Sequence, residues 1–119
     1  MGLPNPTERR PWGEYQNLME GDGFKIKIIE VRNGARNSLQ RHSKRAEYWV
    51  VVKGLGQAEI GGREVRLSPG TMVSVPCGTA HRFSAEGGES LVILELQSGG
   101  ECREDDIVRL EDDFGRVSE

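Results

Sequence analysis

A chain of 119 residues with a formal net charge of −3 is long enough to form one domain with its own hydrophobic core. The acidic balance argues against a nucleic-acid partner, and no apolar run approaches the roughly 18 residues of a membrane-spanning helix. The N-terminal Met1–Pro6 lacks the apolar region of a signal peptide. Two cysteines, Cys77 and Cys102, are too few for a disulfide framework. We therefore expect a cytoplasmic protein with reduced thiols and no membrane partner.

The glycine and proline content predicts an all-β fold. Sixteen glycines and five prolines are spread through the chain, which is typical of many short strands joined by tight turns. We expect a single domain with an N-terminal arm or strand over residues 1–18, a barrel over residues 19–98 and an acidic segment over residues 99–119. Strands recurring about every 8–12 residues indicate an antiparallel sandwich or barrel.

Alternation and β-branched runs place the individual strands. Phe24–Ile28 alternates apolar and basic residues, the pattern of a half-buried strand. Ala46–Lys53 is the most apolar run, which predicts a central strand covered on both faces. Gly61 and Gly62 predict a two-residue hairpin. Ile107–Leu110 is expected to form a short edge strand or a helix. The predicted strands are 12–18, 24–31, 37–42, 46–53, 57–60, 63–67, 71–75, 81–85 and 90–97.

The two histidines of the chain, His42 and His81, suggest a metal site. Gln40 lies two residues before His42 and thus on the same face of a strand. Glu47 opens the next strand, where a buried carboxylate needs a partner, and His81 follows the turn at residues 76–78. Imidazole, carboxylate and amide ligands suit a borderline divalent ion. We predict that all four residues bind one such ion, with zinc ranked first and Fe, Mn, Co or Ni as alternatives.

The spacing of these residues resembles the two motifs of the cupin superfamily. The chain departs from those motifs at Gln40, which replaces the first histidine, and at Ala85, which replaces the terminal asparagine. A cupin would fold as a double-stranded β-helix, that is, a jelly-roll barrel. The matching residues are Gly34, His42, Glu47 and Gly54 in the first motif, and Gly70, Pro76, Gly78 and His81 in the second.

The glutamine narrows the resemblance to the C-terminal cupin domain of type II phosphomannose isomerases. That domain is often fused to a mannose-1-phosphate guanylyltransferase; none precedes it here, so a stand-alone form is expected. Lys44 and Tyr48 stand where the family has histidines, and Glu101–Arg103 replaces a common Tyr-Leu-Gly. The shared segments are Arg10–Gly13, Gly23–Lys25, Ser38–His42, Arg45–Val52, Pro76–Arg82, Glu104–Arg109 and Asp112–Arg116.

This resemblance implies a metal-dependent isomerase that interconverts mannose 6-phosphate and fructose 6-phosphate. The reaction moves a proton between C1 and C2, so it needs an electrophile, a base and a cationic clamp for the phosphate. For the base, Lys44, Tyr48, Glu95 and a metal-bound water remain open. The predicted catalytic residues are Lys44, Arg45 and Tyr48, and the predicted substrate-binding residues are Arg10, Lys44, Arg82 and Arg109.

Two other functions are compatible with the same residues. One is a metal-dependent dioxygenase, although oxygenase cupins usually carry a histidine at the position of Gln40. The other is a non-catalytic cupin that binds a sugar or metabolite, which the replacements at Lys44 and Tyr48 keep open. In each case the partner is a small molecule, foremost a sugar phosphate. We also expect a homodimer, because small cupins often pair through sheet edges or exchange an N-terminal strand.

Overall fold

The computed structural model describes residues 6–100 and 105–116, and in these ranges the chain forms eleven β-strands. Their bounds are Thr7–Arg10 (β1), Gly13–Gly21 (β2), Phe24–Val31 (β3), Leu39–Arg41 (β4), Arg45–Lys53 (β5), Leu55–Ile60 (β6), Arg63–Leu67 (β7), Met72–Val75 (β8), His81–Glu86 (β9), Leu91–Gly99 (β10) and Val108–Glu111 (β11). The long strands β3 and β5 are rich in the β-branched and aromatic residues that favour extended backbone.

The strands form two antiparallel sheets that face each other across one core. The first sheet has six strands in the order β1-β2-β3-β10-β5-β8, and the second has five in the order β11-β4-β9-β6-β7. Trp12, Trp49 and Phe83 meet in the core through edge-to-face contacts. The predicted all-β antiparallel architecture is confirmed. None of the described residues belongs to a helix that could cross a membrane.

The predicted strand positions agree closely with those of the structure. The strands at residues 24–31 and 63–67 coincide with β3 and β7. Gly61 and Gly62 have φ values of 56° and 81°, the left-handed conformation that a two-residue hairpin turn requires. At the ends of the chain, β1 and β2 extend the first sheet, so residues 7–18 are not a separate arm. Of the two alternatives for Ile107–Leu110, the structure has the edge strand, β11.

Strand β5 corrects one expectation. It lies inside the six-stranded sheet, but the prediction that it is covered on both faces is wrong for the described part of the chain. Its side chains alternate between buried and more accessible positions. Tyr48 and Val52, on the outer face, are 48% and 52% exposed. An apolar run therefore marks a strand here without meaning that both of its faces are covered.

The inner face of the barrel is apolar at one end and polar at the other. Strand β3 shows this most clearly, because Lys25 and Lys27 point inward while Ile26 and Ile28 lie on the outer face. In the sheet, Lys27 pairs with Glu95, and Gln97 pairs with both Lys25 and Glu47. The polar groups therefore collect at one level. From the apolar to the polar end, the inward residues are Val31, Ile29, Lys27 and Lys25 on β3, Leu91, Ile93, Glu95 and Gln97 on β10, Val51, Trp49 and Glu47 on β5, and Ala85, Phe83 and His81 on β9.

Candidate active site

Three of the four predicted metal ligands converge at the polar end of the barrel. His42 lies just beyond β4, Glu47 on β5 and His81 at the start of β9. All three are buried, and one ligand atom from each lies within 4.8 Å of the others. Gln40, the sheet partner of His81, lines the same cavity, where its Oε1 accepts a hydrogen bond of 2.9 Å from the Ser38 hydroxyl.

Backbone carbonyls orient both histidine rings. His42 Nδ1 lies 2.6 Å from the Asp106 carbonyl oxygen, and His81 Nδ1 lies 2.9 Å from that of Thr79. Because a carbonyl oxygen only accepts, each Nδ1 carries the hydrogen and each Nε2 directs a lone pair into the site. His81 Nε2 is buried and has no hydrogen-bond partner among the described residues. A buried lone pair in this position fits a metal ligand.

Glu47 is held as an anion between the two rings. Its Oε1 accepts a hydrogen bond from Trp49 Nε1 at 3.1 Å, and its Oε2 accepts from Arg45 Nε and Nη2 at 3.1 and 3.0 Å. Burial by itself would raise the pKa of this carboxyl. When the histidines are protonated, the hydrogen bond to His42 and the charges of the two histidines and Arg45 outweigh it, so the pKa of Glu47 lies well below its usual range.

The donor set fits one divalent ion. His42 Nε2 and Glu47 Oε2 lie 3.1 Å apart, and two lone-pair atoms so close together need a proton or a cation between them. Burial lowers the pKa of His81, which favours the neutral imidazole that metals bind. Two imidazole nitrogens and a carboxylate oxygen suit borderline divalent ions. The residues His42, Glu47 and His81 can thus hold a metal, and they are compatible with several.

One cavity connects this cluster with charged groups from both sheets. The predicted residues Arg10, Gln40, Arg45 and Arg109 line it together with His42 and Glu47. Its lining residues are Arg10, Trp12, Tyr15, Lys27, Ile29, Asn37, Gln40, His42, Arg45, Glu47, Phe83, Glu95, Gln97, Ile107, Arg109 and Arg116.

Three arginines of this lining lie close together. Arg10 ends β1 and donates a hydrogen bond of 3.0 Å to the Tyr15 hydroxyl. Arg116 forms an ion pair of 2.8 Å with Asp112. Burial, together with the like charges of Arg116 and Arg10, lowers the pKa of Arg109. Several guanidinium groups around one opening form a site for an anion with several oxygens, such as a phosphate.

Glu95 is the second carboxyl group of the cavity. It lies on β10 opposite Lys27 and is 4% exposed. It accepts a hydrogen bond of 2.9 Å from Gln97 Nε2. Burial and the nearby charge of Glu47 raise the pKa of Glu95 to about 8, although the charge of Lys27 acts in the opposite direction. Glu95 is therefore mainly protonated at neutral pH, and can exchange a proton near it.

The structure places three predicted site residues outside this cavity, so their assigned roles stay predictions that the geometry does not favour. Tyr48 lies on the outer face of β5, whereas its neighbours Glu47 and Trp49 lie on the inner face. Lys44 is exposed, because β4 ends at Arg41 and the strand alternation does not continue to it. Arg82 lies on the outer side of β9, where it forms a contact of 3.7 Å with Glu111.

Several residues of the site were not assigned to it from the sequence. Trp49, within the predicted central strand, donates a hydrogen bond to Glu47. Asp106 accepts hydrogen bonds from Ser43 and Lys44 and orients His42 through its carbonyl. Lys27 and Arg116 line the cavity. The pairing of β3 with β10 places Lys27 opposite Glu95. For Arg116 the only signal in the sequence was its position in the final shared segment, Asp112–Arg116.

Comparison with known proteins decides the family. The protein-family model described as "Mannose-6-phosphate isomerase C-terminal" matches residues 5–112 of the chain. The chain belongs to this family. Among curated proteins the chain is similar to the alginate biosynthesis protein AlgA of Pseudomonas aeruginosa, with 43% identity over 110 residues. The mannose-1-phosphate guanylyltransferase ManC of Salmonella typhimurium is 39% identical over 108 residues. The predicted family resemblance is confirmed.

The chain corresponds to one part of these longer proteins. The match covers 92% of this chain but 23% of AlgA, and 91% of this chain but 22% of ManC. The matched region is therefore less than a quarter of either relative. The activities named for the whole relatives thus do not pass to this chain by similarity alone.

Solved structures confirm the cupin fold. The capsular polysaccharide assembling protein CapF from Staphylococcus aureus superposes with a TM-score of 0.81 at 18% identity, covering 92% of this chain and 35% of CapF. An RmlC-like cupin from Shewanella frigidimarina superposes with a TM-score of 0.74 at 19% identity, covering 86% of this chain and 88% of that protein. At these identities the likeness concerns the fold and carries no function.

Proposed function

We propose that this protein is a metal-dependent sugar-phosphate isomerase that interconverts mannose 6-phosphate and fructose 6-phosphate. The observation that carries the proposal is the combination of three groups in one cavity: the cluster of His42, Glu47 and His81, the buried carboxyl of Glu95, and the arginines near its opening. An aldose–ketose isomerisation requires an electrophile, a proton carrier and an anchor for the phosphate. Family membership supports the same assignment.

The arginines would bind the phosphate group of the substrate. Arg10, Arg109 and Arg116 lie on three separate parts of the chain and converge on the cavity, so a phosphate held by them would have its sugar carbons directed inward. Burial and then the like charges of Arg116 and Arg10 lower the pKa of Arg109, and the repulsion between the guanidinium groups is relieved when a dianion binds. Phosphate binding is therefore expected to be strong and dependent on ionic strength.

The residues His42, Glu47 and His81 would hold the metal ion, with Gln40 as the predicted fourth ligand and zinc as the first candidate. A bound divalent ion would act as a Lewis acid that polarises the carbonyl group and stabilises the negative charge that develops on the oxygens of C1 and C2. Trp49 and Arg45 fix the carboxylate of Glu47 by hydrogen bonds. Arg45, predicted as a catalytic residue, would thus act through the ligand carboxylate.

Glu95 would carry the proton between C1 and C2. Its ionised form takes the proton from C2 of the aldose, the hydroxyl proton of O2 passes to O1, and the resulting acid returns a proton to C1 to give the ketose. A pKa of about 8 places both forms within reach at neutral pH, which suits a group that must act as base and acid in turn. Of the candidate bases Lys44, Tyr48 and Glu95, Glu95 is the one that lines the cavity.

A sugar-binding protein without catalysis is the competing function. The sequence kept it open because Lys44 and Tyr48 replace family histidines. Both side chains lie outside the cavity, so these replacements remove no group from the metal cluster or from the arginine cluster. The location of the two residues therefore favours the isomerase over the binding protein. The dioxygenase alternative gains no specific support from the cavity.

An isomerase assay coupled to reduction of a nicotinamide cofactor tests the proposal. We expect turnover of mannose 6-phosphate by the metal-loaded protein, its loss in His42→Ala, and a fall of about 100-fold or more in kcat for Glu95→Gln. Metal content measured by mass spectrometry should fall in His42→Ala and stay unchanged in Glu95→Gln. Binding of the sugar phosphate without turnover would favour the binding protein, and equal turnover in all three proteins would refute the assignment.

A further inference from the structure

The proposed isomerisation moves two protons, and Glu95 carries one of them. The proton bound to carbon leaves C2 and returns at C1, whereas the hydroxyl proton of O2 must reach O1. Glu95 holds the first proton between these steps, so the second proton needs another group that both donates and accepts. Such a group must lie in the same cavity as Glu95, within hydrogen-bond reach of the two substrate oxygens.

Lys27 has the position that this second group requires. It lines the cavity, its exposed fraction is 5%, and β3 places it directly opposite Glu95 on β10. Cross-strand neighbours have Cβ atoms about 5 Å apart, so both side chains project into the same part of the cavity. Burial and the charge of Glu47 raise the pKa of Glu95 and the charge of Lys27 lowers it, so the two side chains are close enough to interact.

The aromatic ring of Tyr15 positions the ammonium group of Lys27. Lys27 Nζ lies 4.1 Å from the ring centroid of Tyr15, and the guanidinium carbon of Arg10 lies 5.1 Å from the same centroid. The face of an aromatic ring attracts a cation, and Tyr15 is itself buried in the core. One ring thus contacts both an arginine that we assign to the phosphate and the lysine that faces Glu95.

We propose that Lys27 is a second catalytic residue, which relays the proton between O2 and O1 while Glu95 carries the proton between C2 and C1. This role rests on the isomerase function proposed above. After Glu95 takes the proton from C2, a double bond joins C1 and C2, and the Lys27 ammonium gives a proton to O1. The neutral amine then takes the proton of O2, the double bond between C2 and O2 forms, and Glu95 returns its proton to C1. Both side chains end in their starting states.

Strand β3 also supplies a matched control for Lys27. Lys25 lies two residues earlier, faces the same interior and is buried to a similar degree, with an exposed fraction of 7%. Among the described residues, the cavity lining includes Lys27 and not Lys25. Lys25 Nζ lies 4.0 Å from Glu20 Oε2. The variant Lys25→Met therefore removes a buried charge from the same strand face and leaves every group of the cavity in place.

Isotope exchange separates the two proton transfers. With mannose 6-phosphate and the metal-loaded full chain in deuterated water, deuterium that enters C2 of the remaining aldose reports the Glu95 step. Formation of fructose 6-phosphate requires both transfers, and NMR follows the initial rates of both. We expect Lys27→Met to slow fructose 6-phosphate formation about 100-fold or more and to raise the ratio of exchange to isomerisation about 10-fold or more. Lys25→Met should keep the wild-type ratio. Lys27→Arg should behave like Lys27→Met, because a guanidinium group keeps the charge but does not give up its proton.

Each outcome decides for or against the relay. An unchanged ratio in Lys27→Met overturns it, and a raised KM with an unchanged ratio assigns Lys27 to phosphate binding instead. Wild-type behaviour of Lys27→Arg also overturns the relay, because a positive charge alone would then suffice. If Lys27→Met does not fold, Lys27→Arg, which keeps a cation beside Glu95, decides by its ratio. A wild-type protein that neither exchanges nor isomerises the substrate refutes the isomerase and the relay together, whereas an active wild type with an unchanged ratio in the variants refutes the relay alone.

Discussion

Arg45 Nη2 lies 3.1 Å from His42 Nε2, the nitrogen whose lone pair a metal ion would use. The same Nη2 donates to Glu47 Oε2 at 3.0 Å. The guanidinium group therefore supplies the positive charge that balances these two acceptors. Because one lone pair cannot serve both partners, binding of a metal through His42 Nε2 must break the contact between Arg45 and His42. Arg45 and the metal thus compete for the lone pair of His42 Nε2.

This competition predicts that Arg45→Gln binds the metal more tightly. The substitution removes one positive charge next to the ion, while Trp49 still holds Glu47. We expect the dissociation constant for zinc to fall about 10-fold, which corresponds to roughly 1.4 kcal/mol. Competition with a chromophoric chelator measures it. Weaker binding in Arg45→Gln would show instead that the arginine mainly preorganises the carboxylate.

Trp49→Phe should weaken metal binding without removing a ligand. The substitution deletes the 3.1 Å hydrogen bond from the indole to Glu47 Oε1 and keeps an aromatic ring in the core. Partners that orient a ligand typically contribute 10- to 100-fold in affinity, and we expect a loss of about 10-fold. The chelator competition measures it, and Trp12→Phe, also buried in the core and without an assigned contact to a ligand, is the control.

Glu95 predicts a specific pH dependence of stability in the metal-free protein. The pKa of Glu95 is raised from its ordinary 4.5 to about 8, so between these values the folded chain keeps a proton that the unfolded chain loses. Stability from this group is complete below pH 4.5 and is lost as the pH rises toward 8. Glu95→Gln carries a neutral side chain at every pH. Its free energy of unfolding relative to the wild type should therefore rise by at most about 1.4 kcal/mol per pH unit between these two pKa values.

Urea unfolding at pH 5.0, 6.5 and 8.0 measures this difference. Comparing the two proteins at each pH removes contributions that they share, among them His81, whose lowered pKa makes the fold less stable as the pH falls. A difference in unfolding free energy that stays constant from pH 5.0 to 8.0 would show that Glu95 is ionised in the folded protein.

Arg116→Gln should weaken substrate binding more than it changes kcat. Arg116 lines the cavity with Arg109 and Arg10, far along the sequence from the metal ligands, and we assign these three to the phosphate. We expect KM for mannose 6-phosphate to rise about 10-fold or more, with inhibition by inorganic phosphate weakened in parallel. Arg63→Gln, an exposed arginine at the start of β7, is the control. An unchanged KM would place the phosphate elsewhere.

The local sequence determined the strands and their faces because side chains alternate with a period of two. Alternation separated Lys25 and Lys27 from Ile26 and Ile28, and the turn glycines set the ends of the strands. Alternation alone could not determine whether the lysines or the isoleucines face inward. A reader of the sequence alone would place the isoleucines inside. The structure places the lysines there because β3 pairs with the polar half of β10.

The cluster of candidate metal ligands could be predicted because the spacing of its residues is a local property of two short segments. Gln40, His42 and Glu47 lie within eight residues, and His81 follows a turn with its own glycine and proline signals. The other parts of the site come from residues far apart in the sequence. Glu95 and Lys27 are 68 positions apart in the sequence, and Arg116 and Arg10 lie near opposite ends of the chain, yet all four line one cavity.

The sequence by itself thus determined an all-β cupin with a cluster of possible metal ligands, since periodicity, turn residues and motif spacing are local. The tertiary structure decided which charged residues share a cavity with that cluster. In the folded chain Lys44, Tyr48 and Arg82 lie outside this cavity, whereas Glu95, Lys27 and Arg116 line it. The physical reason is that strand order and register are fixed by the packing of whole sheets, and these long-range pairings, rather than the order of residues, set which side chains meet.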